Sequence, residues 1–237
     1  MVRRTGLVVL ESVDRLIVIA SPSCCGKTLF LAHLARGAIS HIATAIGVEN
    51  AADWRICDAG RLGDIADARA ERLIVAYAIP SPRVATGRPL KNTTDEKLGI
   101  VALARRKTFV TLVASSATLM SRLQQRVRSN RKWILLNPRK FLRARRLLRR
   151  LALVYQDPSQ LRRMYESWFE YTASLPHDGM WIVNADAKYR IVGWRKRTAS
   201  ATYRGQWVVN AEAQYWLHPG ADWKDVLTKI VSRTSAT

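Results

Sequence analysis

The chain has 237 residues, of which 48% are hydrophobic and 24% are charged, and its formal net charge is +21. This length and apolar content are enough for one well-packed core, or for one core with a small appendage, and they exclude a disordered tail. No apolar run approaches the ~20 residues that a membrane span needs, and the amino-terminal residues do not have the pattern of a signal peptide. We therefore expect a cytoplasmic protein without a transmembrane span.

Positive charge is concentrated in one quarter of the chain. Between Lys97 and Gln156 the sequence contains sixteen Lys or Arg residues and no Asp or Glu. Such a segment attracts polyanions, which include nucleoside triphosphates, nucleic acid and acidic membrane surfaces. A solvated basic face without a partner explains the same composition, so the charge alone does not identify a ligand.

The stretch from Leu16 to Arg36 predicts a strand, a loop and a helix. Leu16 to Ala20 is an apolar run rich in β-branched residues, which is typical of a buried parallel strand, and the spacing becomes helical after Thr28. Between the two lies the octapeptide Ser-Pro-Ser-Cys-Cys-Gly-Lys-Thr, residues 21–28. At a helix N-terminus, a loop of this kind surrounds phosphates with backbone N–H groups, while its lysine reaches the β- and γ-phosphates and its hydroxyl ligates Mg²⁺.

The octapeptide resembles the Walker A motif of P-loop nucleoside triphosphatases, and in particular that of the nucleotide and small-molecule kinases. Ser21 stands where the motif has its first glycine, so we expect a strained loop if that position needs a positive φ. The resemblance implies that ATP, or another nucleoside triphosphate, binds with Mg²⁺. The binding residues would be Ser21, Ser23, Cys24, Cys25, Gly26, Lys27 and Thr28, with Lys27 on the phosphates and Thr28 on the metal.

The cysteines permit a second interpretation of the same loop. Cys24 and Cys25 adjoin a predicted helix N-terminus, which lowers the pKa of a thiol and would favour thiol chemistry. Small residues that let the backbone approach a phosphate are the simpler explanation. With Cys57 as the third cysteine, the sequence supports neither a zinc site nor a disulfide framework and agrees with a reducing compartment.

Further strands are predicted near residues 54–60, 72–80, 107–114 and 180–184, with a helix at 65–71 and a long loop at 81–94 that contains Arg83 and Arg88. Asp58 ends the second strand at the edge that the loop occupies, so it is a candidate base or Mg²⁺ ligand, while a turn or capping role is the alternative. Many P-loop enzymes place a metal-binding aspartate at the end of the third strand. Here that strand ends in Ala-Ile-Pro.

After the fourth strand, residues 115–128 predict a short Ser/Ala turn and a helix with spaced arginines. This pattern resembles the start of the lid of nucleotide kinases, in which arginines neutralise charge on the transferring phosphoryl group. The resemblance makes Arg122, Arg126 and Arg128 candidate catalytic residues. An amphipathic basic helix follows at 139–155, and an aromatic-rich helix at 161–175.

The order of these elements predicts one α/β domain over residues 1–237. We expect a three-layer sandwich with a central parallel sheet, an arginine-rich helical lid-like insertion at 122–176, and final strands and a helix at 177–237. Within the last part, residues 181–189 are echoed at 207–215, which predicts two similar strand-turn units and indicates no function.

The resemblance implies an ATP-Mg²⁺-dependent phosphotransferase that acts on an unidentified anionic acceptor, either a small molecule or a nucleotide. Two alternatives remain open. The first is a nucleotide-dependent protein that binds nucleic acid through the basic segment Lys97–Arg150. The second is a degenerate P-loop scaffold without turnover, which is suggested by Ser21 and by the missing strand-end aspartate.

Overall fold

The structure is a computed structural model, and it describes residues 13–58, 71–79, 96–129, 138–186, 191–195, 206–209, 216–220 and 223–231. Most of the helix predicted at 65–71 and the whole loop predicted at 81–94, with Arg83 and Arg88, lie outside the described residues.

The secondary structure alternates between strands and helices, as the sequence predicts. The strands are β1 (Arg15–Ser21), β2 (Arg55–Asp58), β3 (Arg72–Ala78), β4 (Arg106–Val113), β5 (Gly179–Asn184), β6 (Ile191–Arg195), β7 (Gln206–Val209) and β8 (Trp216–Pro219). The helices are α1 (Lys27–Ala35), α2 (Ser40–Ala45), α3 (Glu96–Leu103), α4 (Ser116–Ser129), α5 (Pro138–Gln156), α6 (Pro158–Ala173) and α7 (Trp223–Val231), and a short 3₁₀ turn covers Ala51–Asp53.

The central sheet has the strand order β2-β3-β1-β4-β5-β8. The first five strands are parallel, and β8 pairs antiparallel with β5 at one edge. Strands β6 and β7 form a separate two-stranded antiparallel sheet. The two halves of the sequence echo therefore both begin in strands, as predicted, but one strand belongs to the central sheet and the other to the small one.

Helices cover both faces of the central sheet and complete the α/β sandwich. The connection from β1 to β2 and the connection from β3 to β4 run in opposite directions across the sheet. Because parallel crossovers are right-handed, α1 and α3 lie on opposite faces. Strands enclosed in this way need apolar side chains on both sides, and every residue from Leu16 to Ala20 in β1 is buried accordingly.

Trp168 of α6 joins the helical layer to the sheet. Its indole N–H donates to the Thr111 hydroxyl at 2.9 Å, and its ring stacks on Tyr77 with centroids 5.1 Å apart. It also meets Phe109 edge to face. The side chain is fully buried, so these contacts are made without competition from water.

Helix α6 begins with a well-defined cap. The Asp157 carboxylate accepts hydrogen bonds from the Ser159 hydroxyl and from the backbone N–H groups of Ser159 and Gln160. The bond from the Ser159 hydroxyl is the main cause that lowers the pKa of Asp157, and the backbone bonds act in the same direction. Pro158 at the first helical position needs no N–H partner. The sequence groups residues 122–176 as a lid-like insertion. Within that interval, α6 packs on the sheet through Trp168 and is part of the sandwich.

The helices that the structure describes are too short or too polar to cross a membrane. The longest of them, α5, has 19 residues but includes seven Lys or Arg side chains.

A double-mutant cycle on Trp168 and Thr111 tests the attachment of α6 to the sheet. Trp168→Phe should lower the free energy of unfolding by about 2–4 kcal/mol, because it leaves a cavity and an unpaired Thr111 hydroxyl. Thr111→Val alone leaves the indole N–H unpaired and should cost about 1–3 kcal/mol. In urea unfolding, the double variant should lose less than the sum of the two, by about 1 kcal/mol. Additive losses would mean that the two groups do not interact in solution.

Candidate functional site

The strand order creates a crevice at the carboxyl ends of β1 and β4. These neighbouring strands continue in opposite directions, since β1 leads towards β2 and β4 leads towards β5. In open α/β sheets, ligands bind in the crevice that forms where neighbouring connections diverge. The loop at 22–26, the amino terminus of α1, and Ala114 and Ser115 after β4 surround this point.

The backbone of the loop contains two left-handed residues. Cys24 has a φ of 69° and Gly26 has a φ of 102°. Left-handed residues alternating with ordinary ones are the backbone pattern of an anion-binding nest. In this loop the Cys25 N–H donates to Pro22 O at 3.4 Å, which leaves the N–H groups of Cys24 and Gly26 on either side of it. Ser21 instead belongs to β1, where it pairs with Ala78. Strain at Ser21 was expected if that position needed a positive φ, and this condition is not met. Among the described residues, the non-glycine residue with a positive φ is Cys24.

Three alternate carbonyl groups of the loop are held by side chains from different elements. The Lys27 ammonium donates to Ser21 O at 3.0 Å, the Tyr155 hydroxyl donates to Ser23 O at 2.6 Å, and the Arg122 guanidinium donates to Cys25 O at 2.9 Å. In a trans peptide the carbonyl and the following N–H point in opposite directions. The N–H groups of Cys24 and Gly26 consequently point away from the side chains that hold the carbonyls.

Lys27 lies across the start of the loop. Its ammonium group also contacts the Ser21 hydroxyl at 3.0 Å and Pro22 O at 3.5 Å. Thr28, the second residue of α1, is half-buried beside it. The two side chains that define the Walker A resemblance are thus at the amino terminus of α1, where the helix dipole favours an anion.

Helix α4 brings two arginines to the loop. Arg122 joins the loop to the end of β5, because its second nitrogen donates to Ala185 O at 2.6 Å. The Nη1 atom of Arg126 is 3.7 Å from Cys24 Sγ. Arg128 is exposed, and it lies about 200° around the helix from Arg126. The structure therefore brings two of the three candidate lid arginines to the loop and leaves the third on another side of α4.

Tyr155 attaches the carboxyl-terminal end of α5 to the same loop. The side chain is buried, and burial is the main cause that raises the pKa of its hydroxyl well above its usual range. It is therefore a neutral donor to Ser23. The backbone carbonyl of Tyr155 accepts a hydrogen bond from the Ser116 hydroxyl, which also fixes α5 to the start of α4. Sequence reasoning placed Tyr155 at the end of the basic helix and gave it no role.

Cys25 is an inert thiol. Its Sγ donates to Leu112 O at 3.4 Å, and burial raises its pKa to about 11, although the nearby charges of Arg122 and Lys27 act in the opposite direction. At neutral pH the group is protonated. Because the thiolate is the reactive form of cysteine, the interpretation of Cys25 as a nucleophile is wrong.

Asp186 is a second carboxylate near the site, and the sequence analysis did not select it. Its Oδ1 accepts a hydrogen bond from the Ser115 N–H at 2.7 Å, and its own N–H donates to Asn184 Oδ1 at 3.0 Å. Its negative charge also contributes to raising the pKa of the Cys25 thiol. Asp186 follows β5 by two residues, so the rule that selected Asp58, a carboxylate at a strand end beside the loop, would have found it.

Asp58 is farther along the sheet. It is the last residue of β2, it pairs with Ala76, and Ala76 pairs with Ile19 of β1. Its backbone is therefore two strands from β1, which is about 10 Å, and two residues short of Ser21 along the strand direction. Strand β3 lies between them and continues into Ile79, whose N–H donates to Ser21 O. Across the ranges described, no group of three or more His, Cys, Asp or Glu residues is arranged to hold a metal ion.

A substitution at Cys24 tests the left-handed geometry. Glycine adopts this conformation without the steric cost of a Cβ, whereas alanine removes the thiol and keeps that cost. In urea unfolding, Cys24→Gly should therefore be more stable than Cys24→Ala by about 0.5–1 kcal/mol. The opposite order would mean that residue 24 is not left-handed in solution.

Comparisons with known proteins identify no relative of this chain. No protein-family model matches the chain, and neither the curated proteins nor the solved structures contain a match close enough to count as similar.

Proposed function

We propose that the chain is an ATP-Mg²⁺-dependent phosphotransferase, kinase-like in its site, that binds the triphosphate in the loop at residues 21–28. The observation that supports this best is the backbone of the loop. Cys24 and Gly26 are left-handed, and the anchored carbonyls of Ser23 and Cys25 leave the N–H groups of these two residues directed away from Tyr155 and Arg122, beside the amino terminus of α1. A phosphate group is the ligand that such an arrangement favours.

The charges around the loop favour the same ligand. Lys27, Arg122 and Arg126 all lie within reach of residues 21–25, and Asp186 is the acidic side chain whose charge acts on Cys25. The cations exceed this one anion, so a polyphosphate would be attracted and held. Water is partly excluded already, because Cys25 and Tyr155 are buried below the loop.

The residues present fit Mg²⁺ only as a metal that the nucleotide itself helps to hold. Mg²⁺ in phosphoryl-transfer sites keeps several waters and needs few protein ligands besides the phosphates. The Thr28 hydroxyl would be one ligand, and Asp58, at the end of β2 two strands from β1, would act through water or as the base. When bound, Mg²⁺ would neutralise charge on the β- and γ-phosphates.

The reaction would then transfer the γ-phosphoryl group to an oxygen of an anionic acceptor, such as one of its hydroxyl groups. The acceptor oxygen forms a bond to the γ-phosphorus, the bond to the β–γ bridging oxygen breaks, and the acceptor proton passes to a base such as Asp58. Lys27 and the loop N–H groups would hold the phosphates in place. Arg126 would neutralise the charge that develops on the transferring group, which lowers the barrier more than it strengthens binding.

Lys27→Met is the direct test of nucleotide binding. It removes the ammonium group and keeps an apolar stem, so the affinity for ATP-Mg²⁺ in calorimetry should fall by about 100-fold, or ~2.7 kcal/mol. Lys107→Met is the matched control, because that lysine lies at the opposite end of the sheet, at the start of β4. Equal ATP affinity in the two variants would remove the P-loop interpretation. ATP binding by the unmodified protein without any turnover would favour a degenerate scaffold.

Arg126→Gln separates catalysis from binding. If the arginine acts on the transition state, turnover should fall by about 100-fold or more while ATP affinity changes by less than about fivefold. Arg163→Gln on α6 is the control, because it removes the same charge from an exposed position. Steady-state kinetics and calorimetry on both variants provide the comparison. A parallel loss of affinity and turnover would assign Arg126 to ground-state binding instead.

A further inference from the structure

We propose that the exposed face of α5 binds the phosphodiester backbone of a nucleic acid. The inference concerns a surface outside the loop, and it stands independently of the proposed phosphotransferase activity.

The exposed side of α5 is basic. Arg146, Arg149 and Arg150 are all exposed, and steps of three and four residues place them on one side of the helix. The helix positions of Arg139 and Arg143 continue the same line, since 139, 143, 146 and 150 follow the same spacing. Arg150 is eleven residues after Arg139, so these four positions span about 16 Å along the helix axis. Such a row matches a ligand with repeated negative charges better than a single anion.

The opposite side of α5 is already occupied. Leu151, Val154 and Tyr155 are buried, and the helix packs against α4 and α6. A helix that binds a membrane surface inserts its apolar face among the lipids, so that face must be available. Within the described side chains of α5, Leu151, Val154 and Tyr155 are already packed inside the protein. The exposed apolar residues in the described part of α5 are Leu147 and Leu153, which are separated by Arg149 and Arg150.

Intramolecular carboxylates do not neutralise the described arginines of this surface. Within the part of the chain that the structure describes, the ion pairs are Arg72 with Asp53 and Arg162 with Glu166, and neither includes a residue of α5. The sequence has no acidic residue between Lys97 and Gln156, so α5 and its neighbour α4 contribute none. The positive potential of the surface is therefore available to an external polyanion.

The test is salt-dependent binding by the full chain to two probes: a fluorescein-labelled single-stranded RNA and a duplex DNA, each of about 20 nucleotides in length. Fluorescence anisotropy should show affinity that falls steeply between about 50 and 200 mM salt. The triple variant Arg146→Gln/Arg149→Gln/Arg150→Gln should bind at least about tenfold more weakly and flatten the salt slope by about 2. Replacing the same three arginines with lysine instead of glutamine should keep most of the original affinity. A phosphate backbone is bound mainly through positive charge and does not require the two-donor geometry of a guanidinium group.

The matched control removes the same charge elsewhere. Arg105→Gln/Arg106→Gln/Lys229→Gln changes exposed residues, two of which lie at the far end of β4. It should leave the RNA and DNA affinities within about twofold of the original, and the thermal shift caused by ATP-Mg²⁺ should be the same in all variants. Equal losses in the control and α5 variants would reduce the effect to net charge and overturn the proposal. Binding to phosphatidylserine vesicles without binding to either nucleic acid would overturn it as well.

Discussion

The loop after β1 depends on hydrogen bonds that other parts of the fold make to its carbonyl groups. Lys27, Tyr155 and Arg122 hold the carbonyls of Ser21, Ser23 and Cys25 in turn. A backbone that contains a left-handed cysteine is unfavourable by itself, so these bonds offset the cost. The bonds to Ser23 and Cys25 also determine where the N–H groups of Cys24 and Gly26 point. The candidate phosphate site is thus a property of the backbone, and the three side chains act first as its supports.

Two of these supports come from distant parts of the sequence. Arg122 is 97 residues from Cys25, and Tyr155 is 132 residues from Ser23. Both can reach the loop because β4 lies beside β1 and because α5 returns across α4. Trp168 fixes α6 to β3 and β4, and α6 follows α5 directly. The core of the sandwich and the geometry of the loop are therefore parts of one packing arrangement.

Positive charge has two different environments in this protein. At the loop, Lys27 and Arg122 donate to backbone carbonyls, so the positions of these two charges are fixed. On the outer side of α5, Arg146, Arg149 and Arg150 are exposed and share one face of the helix. A fixed cluster suits a compact triphosphate, whereas an exposed row suits an extended chain of phosphates.

The sequence by itself determined the parallel core strands, the helix that starts at Lys27 and the loop between them, because apolar runs and a change of period are local properties. It also placed Arg122 and Arg126 on one helix. It could not locate the left-handed residue at Cys24 rather than Ser21, since that depends on which carbonyls are held from outside the loop. The approach of Tyr155 and Asp186 to the loop and the packing of α6 on the sheet follow from strand order, and strand order is decided by contacts between residues far apart in the chain.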